Sequence, residues 1–197
     1  MVWYPSTVAT LSRKARTIIE AGFKDSVEDE DYGLLESRLH DFGFRGCTCL
    51  EQSVIGGTAH LLNFTGTDTL TAAYYAQYML NEGRPVGNSI PATEHSVMTS
   101  FRTELEALQR TIGEYGGGVV SCVMDSYDYA GALRNLLPVV KEQKLGKGGV
   151  LVIRPDSGDP IEAILLGLAA GDRVFGSRVN KKGYKVLNGC SVIQGDG

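Results

Sequence analysis

The sequence predicts an α/β fold, and a parallel β/α barrel is the form that we expect. Polar anchor residues recur at intervals of 27, 27, 30, 31 and 40 residues, and they are Asp41, Asp68, His95, Asp125, Asp156 and Asp196. A strand, a loop, a helix and the return to the next strand take about 30 residues. Each anchor follows a short apolar run and the first five precede a helical pattern, which places the anchors at the carboxyl ends of strands. Those ends converge on one mouth in a barrel but only near a switch point in an open doubly wound sheet, the alternative.

The repeated spacing of the anchors predicts the individual strands and helices. We expect parallel strands near 38–42, 60–64, 86–90, 119–124, 149–153 and 191–194. Helices should lie between them, near 50–60, 69–81, 95–113, 127–143 and 160–170, the last beginning at Pro160. Ahead of the first strand, an apolar stripe from Val8 to Ile19 predicts an amphipathic helix with Ser6 as its N-cap. The acidic stretch 25–31 predicts an exposed loop.

Length, charge and cysteine content exclude several classes of protein. A chain of 197 residues suits one substantial core, so we expect a single domain over 1–197. Its formal charge of −4 gives no basic excess for nucleic acid. It has no apolar run of the roughly 20 residues that a spanning helix needs and no secretory signal pattern, so we expect a cytoplasmic protein without a membrane segment. Cys47 and Cys49 are too close together for a usual zinc knuckle and have no matching pair.

Two glycine clusters and one histidine favour structural roles. GKGG at 146–149 and YGGG at 115–118 each precede a strand, whereas a phosphate-binding loop would follow one, so we interpret them as turns. His60 lies where a helical pattern meets the apolar run LLNF, so packing is the expected role.

The strand-end clusters indicate a phosphosugar site. VIRPDSGDP (152–160) supplies a cation, a carboxylate and a turn that leads into a helix N-terminus, which favours anions. VIQGDG (192–197) places a carboxylate between glycines, where backbone can approach a ligand. Carboxylates suit ribose hydroxyls or hydrated Mg²⁺, while Arg45 and Arg154 suit phosphate. Taken singly each cluster could be a capped turn, but six clusters directed at one mouth favour a binding site.

These strings also resemble a known family. WYPSTVAT, RLHDFGFRG, NFTGTDT, SIPATEHS, MDSYD, IRPDSGDP, KGYK and VIQGDG occur in this order and at similar spacing in nicotinamide phosphoribosyltransferases, which are type II phosphoribosyltransferases. The resemblance runs from Trp3 to Gly197. It implies an incomplete parallel β/α barrel of the type II phosphoribosyltransferase kind, because family members extend beyond both ends of the matching region.

The resemblance implies a reaction and a set of roles. Such enzymes join nicotinamide to 5-phosphoribosyl-1-pyrophosphate with Mg²⁺, release pyrophosphate, couple the reaction to ATP hydrolysis and work as homodimers. The implied substrate-binding positions are Phe42 (stacking on the pyridine ring), Asp68 (the carboxamide), Arg45 and Arg154 (the pocket and phosphates), Ser89 and Ser121 (pocket lining), and Gly195 and Asp196 (ribose). His95 is the implied phosphorylated residue with Asp125 beside it, and Asp156 would bind ribose and help to place Mg²⁺.

Three alternatives stay open at this point. A nicotinate phosphoribosyltransferase shares the fold, although a carboxylate at position 68 would repel the carboxylate of nicotinate. Asp68 and His95 could instead only cap the helices predicted at 69–81 and 95–113. The chain could also be a non-catalytic phosphosugar-binding or assembly fragment, and we expect it to be nearly inactive alone because an incomplete barrel leaves a strand edge open.

Overall fold

The computed structural model describes residues 2–195, which pack as two compact units. The first unit contains the residues up to Ser89 together with Asn180–Tyr184, and the second contains Ile90–Val179 with the residues from Lys185 onward. The predicted α/β class with a parallel sheet is confirmed. Closure into a barrel and a single domain over 1–197 stay predictions.

The first unit consists mainly of helices. Helix α1 (Trp3–Ser26) is followed by two 3-10 helices (Asp29–Ser37 and Gly43–Gly46), by α2 (Leu50–His60) and by α3 (Leu70–Tyr75), which continues into a π-helical turn at Ala76–Leu80. Ser6 is not the N-cap that we predicted, because α1 already begins at Trp3 with Val2 as its cap. Pro5 does not prevent this earlier start, since the first turn of a helix needs no backbone N–H.

Three of the predicted strands fall in this unit. Two of them, near 38–42 and 86–90, form only isolated bridges, and the one at 60–64 is not a strand. Parallel bridges join Asp41 to Thr67 and Gly66 to Asn88, so the segments near 38–42 and 86–90 are extended only locally. The strand predicted at 60–64 is wrong. Helix α2 runs to His60, and the N–H of Leu61 still bonds to the carbonyl of Gly57. The apolar run LLNF at 61–64 follows the helix and supplies Phe64 as a buried packing residue, so its apolar character does not come from a strand.

The second unit contains the regular parallel sheet. Strands β1 (Val119–Val123) and β2 (Val150–Arg154) pair in parallel, and β5 (Cys190–Val192) pairs with the other edge of β2. A separate antiparallel pair, β3 (Ser177–Val179) with β4 (Lys185–Leu187), was not predicted. The three predicted strands of this region are therefore confirmed within one or two residues.

Five helices belong to the described part of the same unit. They are α4 (His95–Thr99), α5 (Glu104–Tyr115), α6 (Tyr129–Gly131), α7 (Lys141–Lys147) and α8 (Pro160–Phe175), with a π-helical turn at Ala132–Leu136 after α6. Two of them, α5 and α8, pack on the sheet. The helices predicted at 95–113 and 127–143 are each interrupted. Thr103 starts a new helix by accepting a 3.1 Å hydrogen bond from the Glu106 N–H, and Pro138 lacks the N–H that a continuous helix would use. Helix α8 begins at Pro160 as predicted, with Asp159 as its N-cap.

Both faces of this parallel sheet are buried. Val120, Cys122, Leu151 and Ile153 lie in the hydrophobic core with residues of α5 and α8. Ser121 and Val123 on the opposite face of β1 are buried too, as is usual for a parallel sheet covered on both faces. Only the strand ends carry charged groups. No helix within residues 2–195 is both long and apolar enough to span a bilayer.

The two glycine clusters are turns, as predicted. Gly148 ends α7 in the left-handed region, at φ 79°, and a Cβ on Gly149 would lie 2.0 Å from the carbonyl oxygen of Gly118. The two clusters therefore pack against each other at the starts of β1 and β2, and neither lies at the carboxyl end of a strand.

Candidate active site

An arginine–aspartate pair lies at the carboxyl end of β2. Arg154 is the last residue of the strand and is 2% exposed. Its Nε donates to Oδ1 of Asp156 and its Nη2 to Oδ2, both at 2.9 Å, which is a bidentate pair. Nη2 also lies 3.4 Å from Oε1 of Glu94, and Nη1 donates to the Thr93 carbonyl at 3.4 Å. The buried guanidinium is thus neutralised within its own unit, and a phosphate would have to share it with Asp156.

Asp125 organises the neighbouring strand end. It follows β1 by two residues, and its Oδ2 accepts hydrogen bonds of 2.7 Å from the Asp156 N–H and from the Ser157 hydroxyl. Its Oδ1 lies 3.1 Å from Nε2 of His95. Burial by itself would raise the pKa of Asp125, but the bonds from Ser157, Asp156 and His95 outweigh it and hold the pKa below its usual value. Asp125 is therefore a charged acceptor at neutral pH.

His95 lies between the two carboxylates. It is the first residue of α4, and its side chain is 45% exposed while that of Asp125 is 3% exposed. Nε2 contacts Asp125, and Nδ1 is 3.8 Å from Oδ2 of Asp156. The imidazole makes no cap, since the N-cap of α4 is Glu94 and it has no side-chain cap bond. Capping as the sole role of His95 is therefore excluded.

Gly195 packs directly on this cluster. Its N–H bonds to the Pro155 carbonyl at 2.9 Å, and a Cβ at this position would lie 1.5 Å from Oδ1 of Asp156 and 2.5 Å from Nε of Arg154. Only glycine allows the backbone to come this close to the ion pair. Asp196, the predicted ribose ligand, lies outside the described residues.

A second cluster of predicted site residues lies in the first unit, around an open cleft of about 380 Å³. Phe42, Phe44, Arg45 and Asp68 line it. The side-chain oxygen Oδ1 of Asp68 accepts a hydrogen bond from the Ser89 hydroxyl and lies 3.3 Å from Nε2 of His40. Asp68 does not cap the following helix, because α3 begins at Leu70 with Thr69 as its N-cap. The capping alternative is excluded here too.

Ser121 lies on β1 and is 4% exposed, and its Oγ has no hydrogen-bond partner among the residues that the structure describes. A buried hydroxyl without a partner is costly, so a ligand or water that bonds to it would be favoured. His60 has the packing role that we predicted: it is buried, its Nε2 lies 2.9 Å from the Gly66 carbonyl oxygen, and its ring stacks on Phe64.

The described part of the chain holds no group of three or more His, Cys, Asp or Glu side chains arranged to bind a metal ion. Mg²⁺ usually takes only one or two carboxylates and completes its shell with water and substrate phosphates. Asp156 offers one carboxylate, whose two oxygens already accept from Arg154. This donor set suits a magnesium ion that arrives with a phosphorylated substrate rather than a resident one.

Sequence reasoning missed four residues of these clusters: His40, Phe44, Glu94 and Ser157. Each is a direct chain neighbour, or a neighbour at a spacing of two, of a residue that we had assigned, so the motifs HDFGFRG, TEHS and RPDSG already contained them. Their contacts with Asp68, Arg154 and Asp125 depend on side-chain directions that the sequence does not give.

The comparisons with known proteins agree with the resemblance. The profile of the nicotinate phosphoribosyltransferase (NAPRTase) family matches residues 37–197. A nicotinamide phosphoribosyltransferase of Xanthomonas campestris pv. campestris is 44% identical over 202 residues, covering 100% of this chain and 42% of the relative. Proteins of the same name from Acinetobacter baylyi and Mycoplasma genitalium are 33% and 31% identical, over 99% and 100% of this chain and 43% and 44% of the relatives.

The chain therefore spans less than half the length of these curated relatives. The matched region nevertheless contains Phe42, Arg45 and Asp68 of the first unit and His95, Asp125, Arg154 and Asp156 of the second. Because the profile matches most of the sequence, the chain belongs to the nicotinate phosphoribosyltransferase family.

Proposed function

We propose that this chain forms part of an enzyme that transfers the phosphoribosyl group of 5-phosphoribosyl-1-pyrophosphate to nicotinamide, giving nicotinamide mononucleotide and pyrophosphate. The observation that carries the proposal is the cleft of the first unit, where Phe42, Arg45 and the carboxylate of Asp68 line one space of about 380 Å³. An aromatic face suits a pyridine ring, and a carboxylate accepts a hydrogen bond from an amide NH₂.

Asp68 supports nicotinamide over nicotinate as the base. The acid form of the vitamin carries a negative charge where nicotinamide carries a neutral amide, and two carboxylates at close range repel each other. Nicotinate phosphoribosyl transfer is the second candidate, because the family profile bears that name while the curated relatives bear the other. The two candidates differ in whether nicotinate competes successfully with nicotinamide.

The cluster of the second unit suits the phosphosugar. Arg154 provides buried positive charge, Asp156 provides a carboxylate for ribose hydroxyls and Mg²⁺, and the unpartnered Oγ of Ser121 provides a hydrogen-bonding group. When bound, Mg²⁺ would neutralise charge that develops on the departing pyrophosphate. The pyridine nitrogen attacks the anomeric carbon with its own lone pair, so the protein needs to supply orientation and charge stabilisation and no strong base.

His95 suits a coupled phosphoryl transfer from ATP. Asp125 orients the imidazole through Nε2, which leaves Nδ1 with a lone pair that can attack the terminal phosphorus of ATP while ADP leaves. The half-exposed ring is accessible to such a co-substrate. A homodimeric, cytoplasmic enzyme that uses ATP as a coupled co-substrate is part of this proposal.

The experiment is an assay of nicotinamide mononucleotide formation. The 197-residue chain and a full-length version are incubated with the phosphoribosyl donor, Mg²⁺ and either base. We expect the full-length version to prefer nicotinamide and the chain alone to be nearly inactive. Preference for nicotinate would support the second candidate, and turnover of neither base would contradict both.

ATP coupling is tested in the same preparation. Full-length protein incubated with ATP should acquire acid-labile phosphate, whereas His95→Ala should acquire none and should keep some ATP-independent synthesis. A variant that loses basal synthesis as well would show that His95 acts on the sugar and not as a phosphate carrier.

A further inference from the structure

His40 touches two members of the base-binding cleft. Its Nε2 lies 3.3 Å from Oδ1 of Asp68, and its ring packs against Phe42 with centroids 4.8 Å apart and planes tilted by 39°. A carboxylate can only accept, so Nε2 carries the hydrogen in this contact. One side chain thus supports the aromatic wall and the carboxylate of the cleft at the same time.

His40 does not itself face the cleft. Phe42, Phe44, Arg45 and Asp68 line that space, whereas His40 lines a different cavity, of about 270 Å³, together with Phe42, Asp41 and residues of α2. Phe42 lines both and therefore separates them. The His40 side chain is only 12% exposed, against 38% for that of Asp68. A base bound against Phe42 and Asp68 would not meet the imidazole.

The hydrogen bonds of Asp68 are unevenly shared between its two oxygens. Oδ1 receives the Ser89 hydroxyl and faces Nε2 of His40, while Oδ2 accepts no hydrogen bond from any residue between 2 and 195. Holding Oδ1 on two sides fixes the rotation of the carboxylate about its last bond. Oδ2 is then the oxygen presented for a ligand, in one orientation.

Gly66 provides the room that the imidazole needs. A Cβ on Gly66 would lie 2.5 Å from Nδ1 of His40, which is closer than a carbon and a nitrogen can pack. The backbone of Gly66 is itself fixed, because its carbonyl accepts the Asp41 N–H at 3.1 Å and lies 2.9 Å from Nε2 of His60. The position of the His40 ring is therefore determined by a rigid neighbour.

We propose that His40 is a positioning residue that sets the preference for nicotinamide over nicotinate by orienting the carboxylate of Asp68 and supporting the ring of Phe42. This inference rests on the proposed function. Its two actions are separable, because the hydrogen bond depends on Nε2 and the support of Phe42 depends on the flat ring.

Two substitutions separate these actions in the full-length protein. His40→Phe keeps a ring beside Phe42 and removes the donor, so the ratio of kcat/KM for nicotinamide to that for nicotinate should fall about 10-fold, through a higher KM for nicotinamide. His40→Gln keeps an N–H donor near the position of Nε2, so it should hold the ratio within about 3-fold of the parent while raising the KM for both bases.

A second route moves the ring without replacing it. Gly66→Ala should displace the imidazole from Asp68 and lower the base ratio in the same direction as His40→Phe. The matched control is Gly56→Ala, which adds a Cβ elsewhere in this unit, 2.8 Å from the hydroxyl oxygen of Tyr4. The three atoms nearest to that Cβ all belong to Tyr4, so this variant should lower the unfolding temperature and leave the base ratio unchanged.

The outcomes are distinguishable. A lower ratio in both His40→Phe and Gly66→Ala, with the parent ratio in Gly56→Ala, supports the assignment, and Gly66→Ala decides if His40→Phe does not fold. An unchanged ratio in the folded variants of an active parent overturns it. An inactive parent, or one that prefers nicotinate, instead contradicts the proposed function on which the inference rests.

Discussion

The two clusters of site residues are held in opposite ways. In the second unit, Arg154, Asp156 and Asp125 extend from the ends of two paired strands, and their side chains are 3%, 14% and 3% exposed. In the first unit, Arg45 and Ser89 are exposed, and the backbone that carries Phe42 and Asp68 is fixed by isolated bridges and a short 3-10 helix.

This difference in burial and backbone support matches the ligand that we propose for each cluster. Buried charges need exact partners, and a continuous parallel ladder holds such partners in register, as the pairing of Val123 with Arg154 does. A flat aromatic ligand needs a wall and one polar group, which short segments can provide. We therefore expect substitutions in the second unit to affect stability and activity, and those in the first to affect mainly ligand choice.

The largest contrast should come from the two arginines. Arg154→Ala would leave Asp156 and Glu94 without their buried partner, so we expect a loss of about 3–5 kcal/mol in the free energy of unfolding. Arg45→Ala removes an exposed side chain, whose contacts in solvent contribute at most about 1 kcal/mol to the free energy of unfolding. Urea unfolding of both variants measures the difference. Equal losses would show that the second cluster is no more rigid than the first.

Asp125→Asn tests the hydrogen-bonded carboxylate through pH. We expect the free energy of unfolding to fall by about 1.5–3 kcal/mol at neutral pH, because hydrogen bonds to a charged acceptor are replaced by hydrogen bonds to a neutral one. The folded-state pKa of Asp125 is lowered, so its contribution is complete above the unfolded value of about 4 and is lost as the pH falls toward the folded value. The difference in free energy of unfolding between the parent and Asp125→Asn should therefore become smaller below about pH 4.

The control for this titration is Asp25→Asn, since Asp25 is exposed and has no side-chain hydrogen bond within residues 2–195. Its stability should follow that of the parent at every pH. A gap for Asp125→Asn that stays constant down to acid pH would argue against the charged state of Asp125 as the source of stability.

Asp68→Asn should change ligand choice with little effect on stability. Removing the like charge should weaken discrimination against nicotinate by about 1–3 kcal/mol in a full-length version. The measurement is the ratio of kcat/KM for the two bases. Asp41→Asn is the matched control, because Asp41 bonds to the N–H of Gly43 at 2.7 Å and does not line the same cleft. The same shift in both variants would refute the role given to Asp68.

The smallest effect should come from two glycines. Gly195→Ala would force a Cβ against Asp156 and Arg154, and we expect the free energy of unfolding to fall by about 1 kcal/mol, the lower end of what overpacking costs. Gly46→Ala has nothing within 4 Å of the added Cβ and should be neutral. The measurement is the thermal unfolding temperature of both variants. An unchanged temperature for Gly195→Ala would mean that the backbone at 195 does not constrain the ion pair of Arg154 and Asp156.

Prediction from sequence succeeded where a residue pattern is compatible with only one type of secondary structure. Strands β1, β2 and β5 were placed to within two residues, because valine- and isoleucine-rich runs bounded by glycine and aspartate are typical of buried parallel strands. It failed at 60–64, where an apolar run fits the end of a helix as well as it fits a strand, and at 95–113, where a cap at Thr103 divides one periodic pattern into two helices.

The sequence by itself determined the family, the parallel strand–helix order and the residue types at the strand ends, because these depend on local patterning and on motif spacing. Only the tertiary structure decided that Arg154 pairs with Asp156, that Asp125 orients His95, and that His40 packs behind Phe42 while facing Asp68. Such contacts join segments up to about 60 residues apart and depend on side-chain direction within a few ångströms, as the 3.4 Å contact of Arg154 with Glu94 shows. Patterns along the chain carry no information at that scale.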